Sequence, residues 1–332
     1  MALGEFDLID HYFNRPRPTR QPLGIGDDCA LLAPRPGMQL AVSTDMLVEG
    51  RHFFADVAPQ SLGHKALAVN LSDLAACGAA PLAYTLALAL PRADEAFLAA
   101  FACGLHALAD RHDIELIGGD TTAGPLNLCI TVFGEVPSGQ ALLRSGAEPG
   151  DDLWVSGRLG DARLALEALL GQHPQPAGVL TATRVALECP EPRVALGQAL
   201  RGVARSALDL SDGLVGDLGH LLDRSQTRCG TPLGAVIELE RLPRSAALSA
   251  QPAVLQQLCL LSGGDDYELL FSAAPEDRER VMRAGEAAQT AVTRIGRIER
   301  IDPSTGQHRI RVLDAEGAPL ATTPWRSFDH FR

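Results

Sequence analysis

The 332-residue sequence has almost no lysine: of its 29 basic residues, only Lys65 is not an arginine. Its 41 acidic residues leave a formal net charge of −12. Proteins that bind nucleic acid through a basic face need clustered Lys and Arg, so this balance argues against a nucleic-acid partner. If the protein binds phosphate groups, it must use arginine, backbone N–H groups or metal ions. We expect Lys65 itself to be a solvated helix residue.

The sequence also lacks the features of membrane, secreted and zinc-binding proteins. Its longest apolar stretch, 79–90, contains Pro81 and is much shorter than the roughly 20 residues that a membrane-spanning helix needs. No basic region precedes an apolar run near the start, so no signal peptide is predicted. The seven cysteines are widely spaced and form no CxxC pair that would indicate zinc or a disulfide framework. We therefore expect a cytoplasmic protein with reduced thiols and no membrane association.

Helix-like and strand-like segments alternate along the chain, which is typical of an α/β protein. A turn-rich segment, 137–152, contains Pro-Ser-Gly and Glu-Pro-Gly-Asp and is the best candidate for a domain boundary. We predict two α/β domains, residues 1–137 and 150–332, which agrees with the usual size of protein domains.

Aspartates stand beside Gly, Ser or Thr at five predicted junctions of strand and helix. The segments are GIGDD (24–28), STD (43–45), GGDTT (118–122), DLSDG (209–213) and GGDD (263–266). Any one of them is explained as a helix cap or a turn. Together they indicate more, because Asp45 and Asp120 each end a predicted apolar strand, where open α/β sheets bind ligands. Asp73 lies on an apolar helix stripe, where a carboxylate needs an arginine or a metal ion as its partner.

Several carboxylates in a chain with one lysine favour hard divalent cations held by oxygen ligands. The neighbouring glycines let the backbone approach a phosphate group closely. Metal together with phosphate indicates a nucleotide enzyme. The chain has no GxxxxGK[ST] loop, no complete dinucleotide fingerprint and no GxSxG elbow, so the common nucleotide and hydrolase motifs do not explain it.

Seven motifs resemble those of the thiamine-monophosphate kinases, a family within the aminoimidazole ribonucleotide synthetase superfamily. They are GEFDLI, GIGDDCALL, STDMLVEGRHF, AVNLSDLAACGAAPLA, IGGDTTAGPL, SGGDDYELLF and a terminal FDHF. The resemblance runs from Glu5 to Phe331. It implies a two-domain α/β (α+β) fold in which the N-terminal strands form a barrel with a second copy, and hence a homodimer. It also implies ATP-dependent phosphorylation of thiamine monophosphate to thiamine diphosphate with several Mg²⁺ ions, K⁺ being a further candidate ion.

The resemblance assigns roles to individual residues. Those that match magnesium ligands are Asp28, Thr44, Asp45, Asp73, Asp120, Asp209 and Asp212. Those that match nucleotide contacts are Gly119, Asp120, Arg144 and Ser211. Those that match contacts to thiamine phosphate are Ser43, His52, Asp265 and Phe328, and the family more often has Glu where Asp265 stands. No general base is predicted, because a phosphate monoester with a second pKa near 6 is mostly a dianion at pH 7.

Ordinary structural explanations remain for several of these residues. His52 fits a surface loop, Phe328 a core position, Arg144 a solvated turn, and Ser43 and Thr44 a plain strand. Two alternative functions also remain. One is another ATP-using member of the superfamily, a selenophosphate or aminoimidazole ribonucleotide synthetase. The other is a non-catalytic module that binds divalent cations, although such a module favours a compact D-x-D-x-D-G loop.

Overall fold

Two separate β-sheets organise the protein, each in its own compact unit. The computed structural model describes residues 4–15, 21–26, 28–302, 304 and 308–320. The first unit comprises residues 1–74 and 79–139, and the second comprises 75–78 and 140–332. Within the described residues both sheets are open, since neither strand order closes on itself. No helix among them is long and apolar enough to cross a membrane.

The first unit contains a four-stranded sheet in the order β1-β4-β2-β3. Its strands are β1 (Met38–Val48), β2 (Ala80–Leu90), β3 (Glu115–Ala123) and β4 (Asn127–Pro137). Its helices are α1 (Glu5–Leu8), a π-helical turn (Ile9–Phe13), α2 (Pro59–Ala76) and α3 (Glu95–Arg111). Strands β2 and β3 are parallel, and the other neighbouring pairs are antiparallel. Parallel strands need a crossover connection, which α3 provides.

Glycines let α2 and α3 pack with their backbones in contact. A Cβ on Gly63 would lie 2.1 Å from the carbonyl oxygen of Phe101, and one on Gly104 would lie 1.9 Å from that of Gln60. The apolar side chains around this crossing are buried, Leu67 and Phe101 completely. Full burial of such a side chain contributes about 1.5–3 kcal/mol, so this crossing fixes α2 in the first unit.

The second unit contains a six-stranded sheet in the order β10-β7-β9-β5-β8-β6. Its strands are β5 (Asp152–Ser156), β6 (Ser206–Asp209), β7 (Leu233–Glu238), β8 (Leu269–Ala273), β9 (Val292–Arg300) and β10 (Ile310–Leu313). Its helices are α4 (Asp161–Leu169), α5 (Ala177–Glu188), α6 (Val194–Ala199), α7 (Leu214–Cys229), α8 (Ala246–Ser249), α9 (Ala253–Ser262) and α10 (Arg278–Ala287). Among the described strands of this second sheet, only β7 and β10 pair in parallel. Leucines of α7 and α9 pack with β5 and β7 in one apolar core.

Two expectations about strand ends are wrong. Asp45 and Asp120 were expected to end short strands, but β1 continues to Val48 and β3 to Ala123. The ladder explains the difference, because β4 pairs with β1, and β2 pairs with β3, along their whole lengths. Strand pairing therefore overrides the weak β propensity of the Gly-Gly-Asp segment.

Candidate active site

Strand β1 and helix α2 bring three predicted site residues together. The Ser43 hydroxyl donates to Oδ2 of Asp73 at 2.5 Å. The backbone N–H of Asp45 donates to Oδ1 of Asn70 at 3.0 Å. The expectation of an arginine or a metal ion beside Asp73 stays a prediction, and the structure adds the Ser43 hydroxyl as a partner. Alternate residues of a strand share a face, so one face of β1 presents Ser43 and Asp45 to α2.

The Thr44 hydroxyl lies on the opposite face of the same strand. It is exposed, and its Oγ1 is 2.9 Å from Oγ1 of Thr131 on β4. Neighbouring strand residues point to opposite faces, so the structure does not bring this hydroxyl to the side chains of Ser43 and Asp45.

Other predicted residues of the first unit line a cavity of about 760 Å³. Asp28, Gly119 and Asp120 supply polar groups to its wall, and Ile25 and Phe13 supply apolar surface. This volume lies within the usual range for small-molecule sites, about 300–1,000 Å³. The structure therefore joins the predicted nucleotide contacts Gly119 and Asp120 with the predicted metal ligand Asp28.

Gly119 lets β3 approach β2 closely beside the cavity. A Cβ there would lie 1.8 Å from the carbonyl oxygen of Leu86 on β2. Just before it, Ile117 is the extra residue of a β-bulge, because Leu116 pairs with Tyr84 and Gly118 pairs with Thr85. Bulges redirect side chains and are frequent beside active sites.

The sheet separates Asp45 from Asp120. Asp45 pairs with Ile130 on β4, Ile130 pairs with Leu86 on β2, and Leu86 pairs with Gly119 on β3. The two aspartates thus lie on opposite edge strands, about 14 Å apart along the sheet at about 4.8 Å per strand. Within one copy they cannot bind the same metal ion.

Backbone pairing joins the two Gly-Asp motifs of the second unit. The N–H of Asp265 donates to the carbonyl of Ser211 at 2.9 Å, and the N–H of Tyr267 donates to that of Leu210 at 2.8 Å. Asp265 has φ 64° and Tyr267 has φ 50°, a left-handed conformation that is uncommon outside glycine and clusters at functional sites. Predicted substrate residue Asp265 and predicted nucleotide residue Ser211 are therefore neighbours, and Asp209 ends β6 beside them.

Asp217, which the sequence reasoning missed, organises the other half of this motif. Its Oδ2 accepts the backbone N–H groups of Asp212 and Gly213, both at 3.1 Å. Burial raises the pKa of Asp217 to about 7, and the charge of Asp212 adds to the rise, whereas the two N–H donors and Arg144 oppose it. The signal in the sequence was an acid in the first turn of a helix, as in a capping box.

A buried hydroxyl supports the loop that carries Arg144. Oγ of Ser225, on α7, accepts the N–H groups of Gly146 and Ala147 at 3.1 Å and donates to the carbonyl of Arg144 at 3.2 Å. The Arg144 side chain is exposed, and its charge reaches Asp217. This places the predicted nucleotide contact Arg144 near the Ser211-Asp212 segment.

Of the two remaining predicted substrate residues, the structure describes His52 but not Phe328. His52 lies in the β1–α2 connection, where its carbonyl accepts a hydrogen bond from Lys65 at 3.2 Å. Lys65 was expected to be solvated, and this is wrong, since it is only 2% exposed. The helix register of α2 directs it inward. Phe328 lies outside the described residues.

The donor chemistry suits hard cations, although the described residues do not form a complete metal site. No three His, Cys, Asp or Glu side chains within the described ranges are grouped closely enough to hold a metal ion. The predicted ligands are carboxylates and one hydroxyl, which are the oxygen donors that Mg²⁺ prefers. Mg²⁺ usually keeps waters and binds through one or two carboxylates plus substrate phosphates. The separate carboxylates fit that manner of binding.

Comparisons with known proteins agree with the motif resemblance. Residues 26–136 match the family described as AIR synthase related protein, N-terminal domain. The chain is 46% identical to the thiamine-monophosphate kinase of Escherichia coli O157:H7, over 100% of this chain and 99% of that relative. The chain belongs to the thiamine-monophosphate kinase family. The resemblance inferred from the sequence motifs is thereby confirmed.

Solved thiamine-monophosphate kinase structures share the fold. The enzyme from Stenotrophomonas maltophilia K279a is 45% identical, covers 94% of this chain and 97% of its own, and gives a TM-score of 0.82. AaThiL complexed with AMPPCP and TMP is 29% identical, covers 98% of both chains and gives a TM-score of 0.72. These matches confirm the mixed α/β, aminoimidazole ribonucleotide synthetase-like fold. They favour a thiamine-monophosphate kinase over the cation-binding module and the other superfamily enzymes.

Proposed function

We propose that the protein transfers the γ-phosphoryl group of ATP to thiamine monophosphate and forms thiamine diphosphate and ADP. The observation that carries this proposal is the 46% identity to a thiamine-monophosphate kinase over the full length of both chains. The AMPPCP and TMP of the AaThiL complex supply the two substrate classes. The cavity beside Gly119 and Asp120 is of a size that suits a nucleotide.

The reaction needs no base from the protein. A phosphate oxygen of thiamine monophosphate bonds to the γ-phosphorus, while the bond from that phosphorus to the β–γ bridging oxygen breaks and ADP leaves. The acceptor is mostly a dianion at pH 7 because its second pKa is near 6. The barrier is repulsion between anions, since two unit charges 4 Å apart repel by about 4 kcal/mol at an effective dielectric constant of 20.

The proposed roles of the side chains follow from this barrier. Mg²⁺, when bound, would supply positive charge that neutralises the phosphate groups. The residues that would hold it are Asp28, Thr44, Asp45, Asp73, Asp120, Asp209 and Asp212. The Gly119 backbone and the Arg144 guanidinium bind the nucleotide, and Arg144 offers a fork of donors matched to phosphate. The thiamine phosphate is bound by Ser43, His52, Asp265 and Phe328, and K⁺ is a further ion in the proposal.

A homodimer with a shared barrel is part of the proposal. On edge strand β1, more than half of the surface of Val42 and of Met46 is exposed. An exposed apolar edge strand favours pairing with another chain. Asp45 and Asp120 lie on opposite edges of the sheet. A barrel formed by two copies would bring the two edges together. We further propose that residues 1–137 and 150–332 are the two domains, and that the protein acts in the cytoplasm, where ATP is supplied.

One assay tests the proposed function. The purified protein is incubated with ATP, thiamine monophosphate and a range of Mg²⁺ and K⁺ concentrations, and ADP and thiamine diphosphate are quantified. We expect equal amounts of both products. Thiamine without its phosphate should give none, because it offers a hydroxyl rather than a phosphate dianion. The Asp120→Asn variant, purified identically, controls for contaminating kinases. Absence of thiamine diphosphate under every condition would contradict the proposal.

A further inference from the structure

The connection between β1 and α2 is a compact turn that closes on itself. The backbone N–H groups of Arg51 and His52 both donate to the carbonyl of Val48, at 3.1 and 3.0 Å. The N–H of Gly50 donates to the carbonyl of Phe53 at 2.9 Å, and the Phe53 side chain is buried. The turn therefore has one conformation defined by its own hydrogen bonds.

This turn fixes the His52 ring. The backbone N–H of Val48 donates to Nδ1 of His52 at 3.0 Å. A ring nitrogen that accepts a hydrogen bond carries no proton, so the proton of the neutral ring is on Nε2. Nε2–H is then a donor of fixed direction, which suits a phosphate oxygen.

Lys65 attaches the turn to α2. Its Nζ donates to the carbonyl of His52 at 3.2 Å, and the side chain is 2% exposed. Burial of an ammonium group is costly unless it is hydrogen-bonded. The same helix carries Asn70 and Asp73, which contact β1. One face of α2 thus contacts both the acidic segment of β1 and the His52 turn.

We infer that Lys65 is a positioning residue for thiamine phosphate: it holds the His52 turn on α2 so that Nε2–H of His52 faces the substrate phosphate. The inference rests on the proposed function and adds a residue to it. Lys65 acts through His52 and does not touch the substrate. Because the link runs to a substrate contact rather than to a nucleotide contact, its loss should affect thiamine monophosphate and not ATP.

Lys65→Met tests this role, since it removes the ammonium group and keeps an unbranched apolar chain. We expect the KM for thiamine monophosphate to rise about tenfold, as for the loss of a hydrogen bond from a charged donor. The kcat and the KM for ATP should stay within about twofold of wild type. In a His52→Ala background, Lys65→Met should raise the KM for thiamine monophosphate by less than about twofold. The reason is that the effects of two residues that act as a unit are not additive.

Leu67→Val is the matched control. Leu67 is completely buried on the same helix, and this variant removes buried volume while leaving the Lys65 ammonium and its acceptor, the His52 carbonyl, in the sequence. We expect its melting temperature to fall while its KM for thiamine monophosphate does not change. If Leu67→Val raises that KM as Lys65→Met does, or if Lys65→Met raises both KM values equally, Lys65 has only a structural role and the inference is wrong. The inference is also wrong if Lys65→Met raises the KM for thiamine monophosphate as much in the His52→Ala background as it does in wild type.

A measurement without turnover separates this inference from the proposed function. The chain has one lysine, so protein labelled with lysine that carries ¹³C only at Cε gives one side-chain NMR signal, that of Lys65. We expect His52→Ala and thiamine monophosphate each to shift this signal, whereas Leu67→Val should leave the response to thiamine monophosphate intact. If the enzyme is active but neither His52→Ala nor thiamine monophosphate shifts the signal, the inference is wrong and the proposed function stands. An inactive wild-type enzyme would overturn the proposed function, and the effect of His52→Ala on the signal would still test the Lys65 contact.

Discussion

The two units hold their predicted site residues by different means. In the first unit, side chains of α2 reach across to β1 and its turn: Asp73 meets Ser43, Asn70 meets the N–H of Asp45, and Lys65 meets the His52 carbonyl. In the second unit, loops pair backbone to backbone, as Asp265 does with Ser211. Buried side-chain oxygens of α7 then accept hydrogen bonds from backbone N–H groups of these loops.

Because the two units hold their site residues differently, different kinds of substitution should disrupt each site. A site held by side chains depends on a few named pairs, each of which one substitution removes. A site held by backbone pairing tolerates changes of side chain but depends on glycines and on the buried acceptors that satisfy its N–H groups.

The largest effect is expected from the carboxylates themselves. Asp45→Asn and Asp120→Asn in the first unit, and Asp209→Asn in the second, should each lower kcat by at least about 10²-fold, the scale of losing one preorganised electrostatic group. Similar losses in both units would show that charge matters more than how the residue is held. Steady-state kinetics at saturating Mg²⁺ measure the effect, and circular dichroism checks the fold.

The exposed acid Asp56 of the first unit supplies the control. Asp56→Asn should keep kcat within about twofold of wild type, since surface substitutions have small effects. Near wild-type turnover in both Asp45→Asn and Asp120→Asn would remove these residues from the metal site.

Gly119→Ala should give the largest loss of stability in the first unit. Its Cβ would lie 1.8 Å from the carbonyl oxygen of Leu86, whereas a Cβ on neighbouring Gly118 meets nothing within 4 Å. We expect Gly119→Ala to lower the free energy of unfolding by about 1–3 kcal/mol, and Gly118→Ala to change it by less than about 0.5 kcal/mol. Urea denaturation measures both. Equal stabilities would mean that β3 does not approach β2 as closely as the structure shows.

Much of the fold follows from sequence patterns, and much of the site does not. The apolar spacing of residues 61–77 and the Ala/Leu-rich run 95–112 predict two helices, because such segments bury one face. The structure has α2 at Pro59–Ala76 and α3 at Glu95–Arg111. The segment 118–122 was misjudged because pairing with β2 extends β3 through two glycines. The four-residue helix α8 has too few residues for a periodic signal and was not predicted.

Site contacts were predicted only where a motif carried them. The acids of the Gly-Asp motifs were found, but Asn70, Asp217 and Ser225 were not, since each acts on a backbone group that only the folded chain brings near. Lys65 shows the limit most clearly. Its rarity was visible in the composition, but its burial depends on which face of α2 meets the His52 turn. The composition shows that a residue type is rare, but it does not show which group that residue contacts in the folded chain.

Ser225→Ala tests the buried acceptors of the second unit. The substitution removes the partner of two N–H groups and one carbonyl in the Arg144 loop. We expect the KM for ATP to rise about tenfold and the free energy of unfolding to fall by about 1–3 kcal/mol, the cost of unsatisfied buried groups. The KM for thiamine monophosphate should not change, in contrast to Lys65→Met.

Thr227→Ala provides the control on the same helix, because the exposed Thr227 hydroxyl donates only within α7, to Asp223. It should leave both KM values unchanged. A rise in the KM for thiamine monophosphate in Ser225→Ala, equal to that for ATP, would show that the Arg144 loop does not serve the nucleotide alone.

A pH dependence of stability belongs to the second unit. Burial raises the pKa of Asp266 well above its usual value, the charges of Glu268 and Asp161 add to the rise, and the Gly160 N–H, 2.9 Å from Oδ1, opposes it. The native state therefore keeps a proton that the unfolded chain releases above about pH 4. Stability from this group is present at low pH and is lost as pH rises toward the native pKa.

Asp266→Asn should remove this dependence, because the amide cannot ionise and its oxygen still accepts the Gly160 N–H. As pH rises above about 4, the stability of wild type relative to the variant should fall by about 1.4 kcal/mol per pH unit until the native pKa is reached. Urea denaturation of both proteins without Mg²⁺, from about pH 4.5 to 7.5, measures the difference. Parallel curves would show that Asp266 is ionised in the native state.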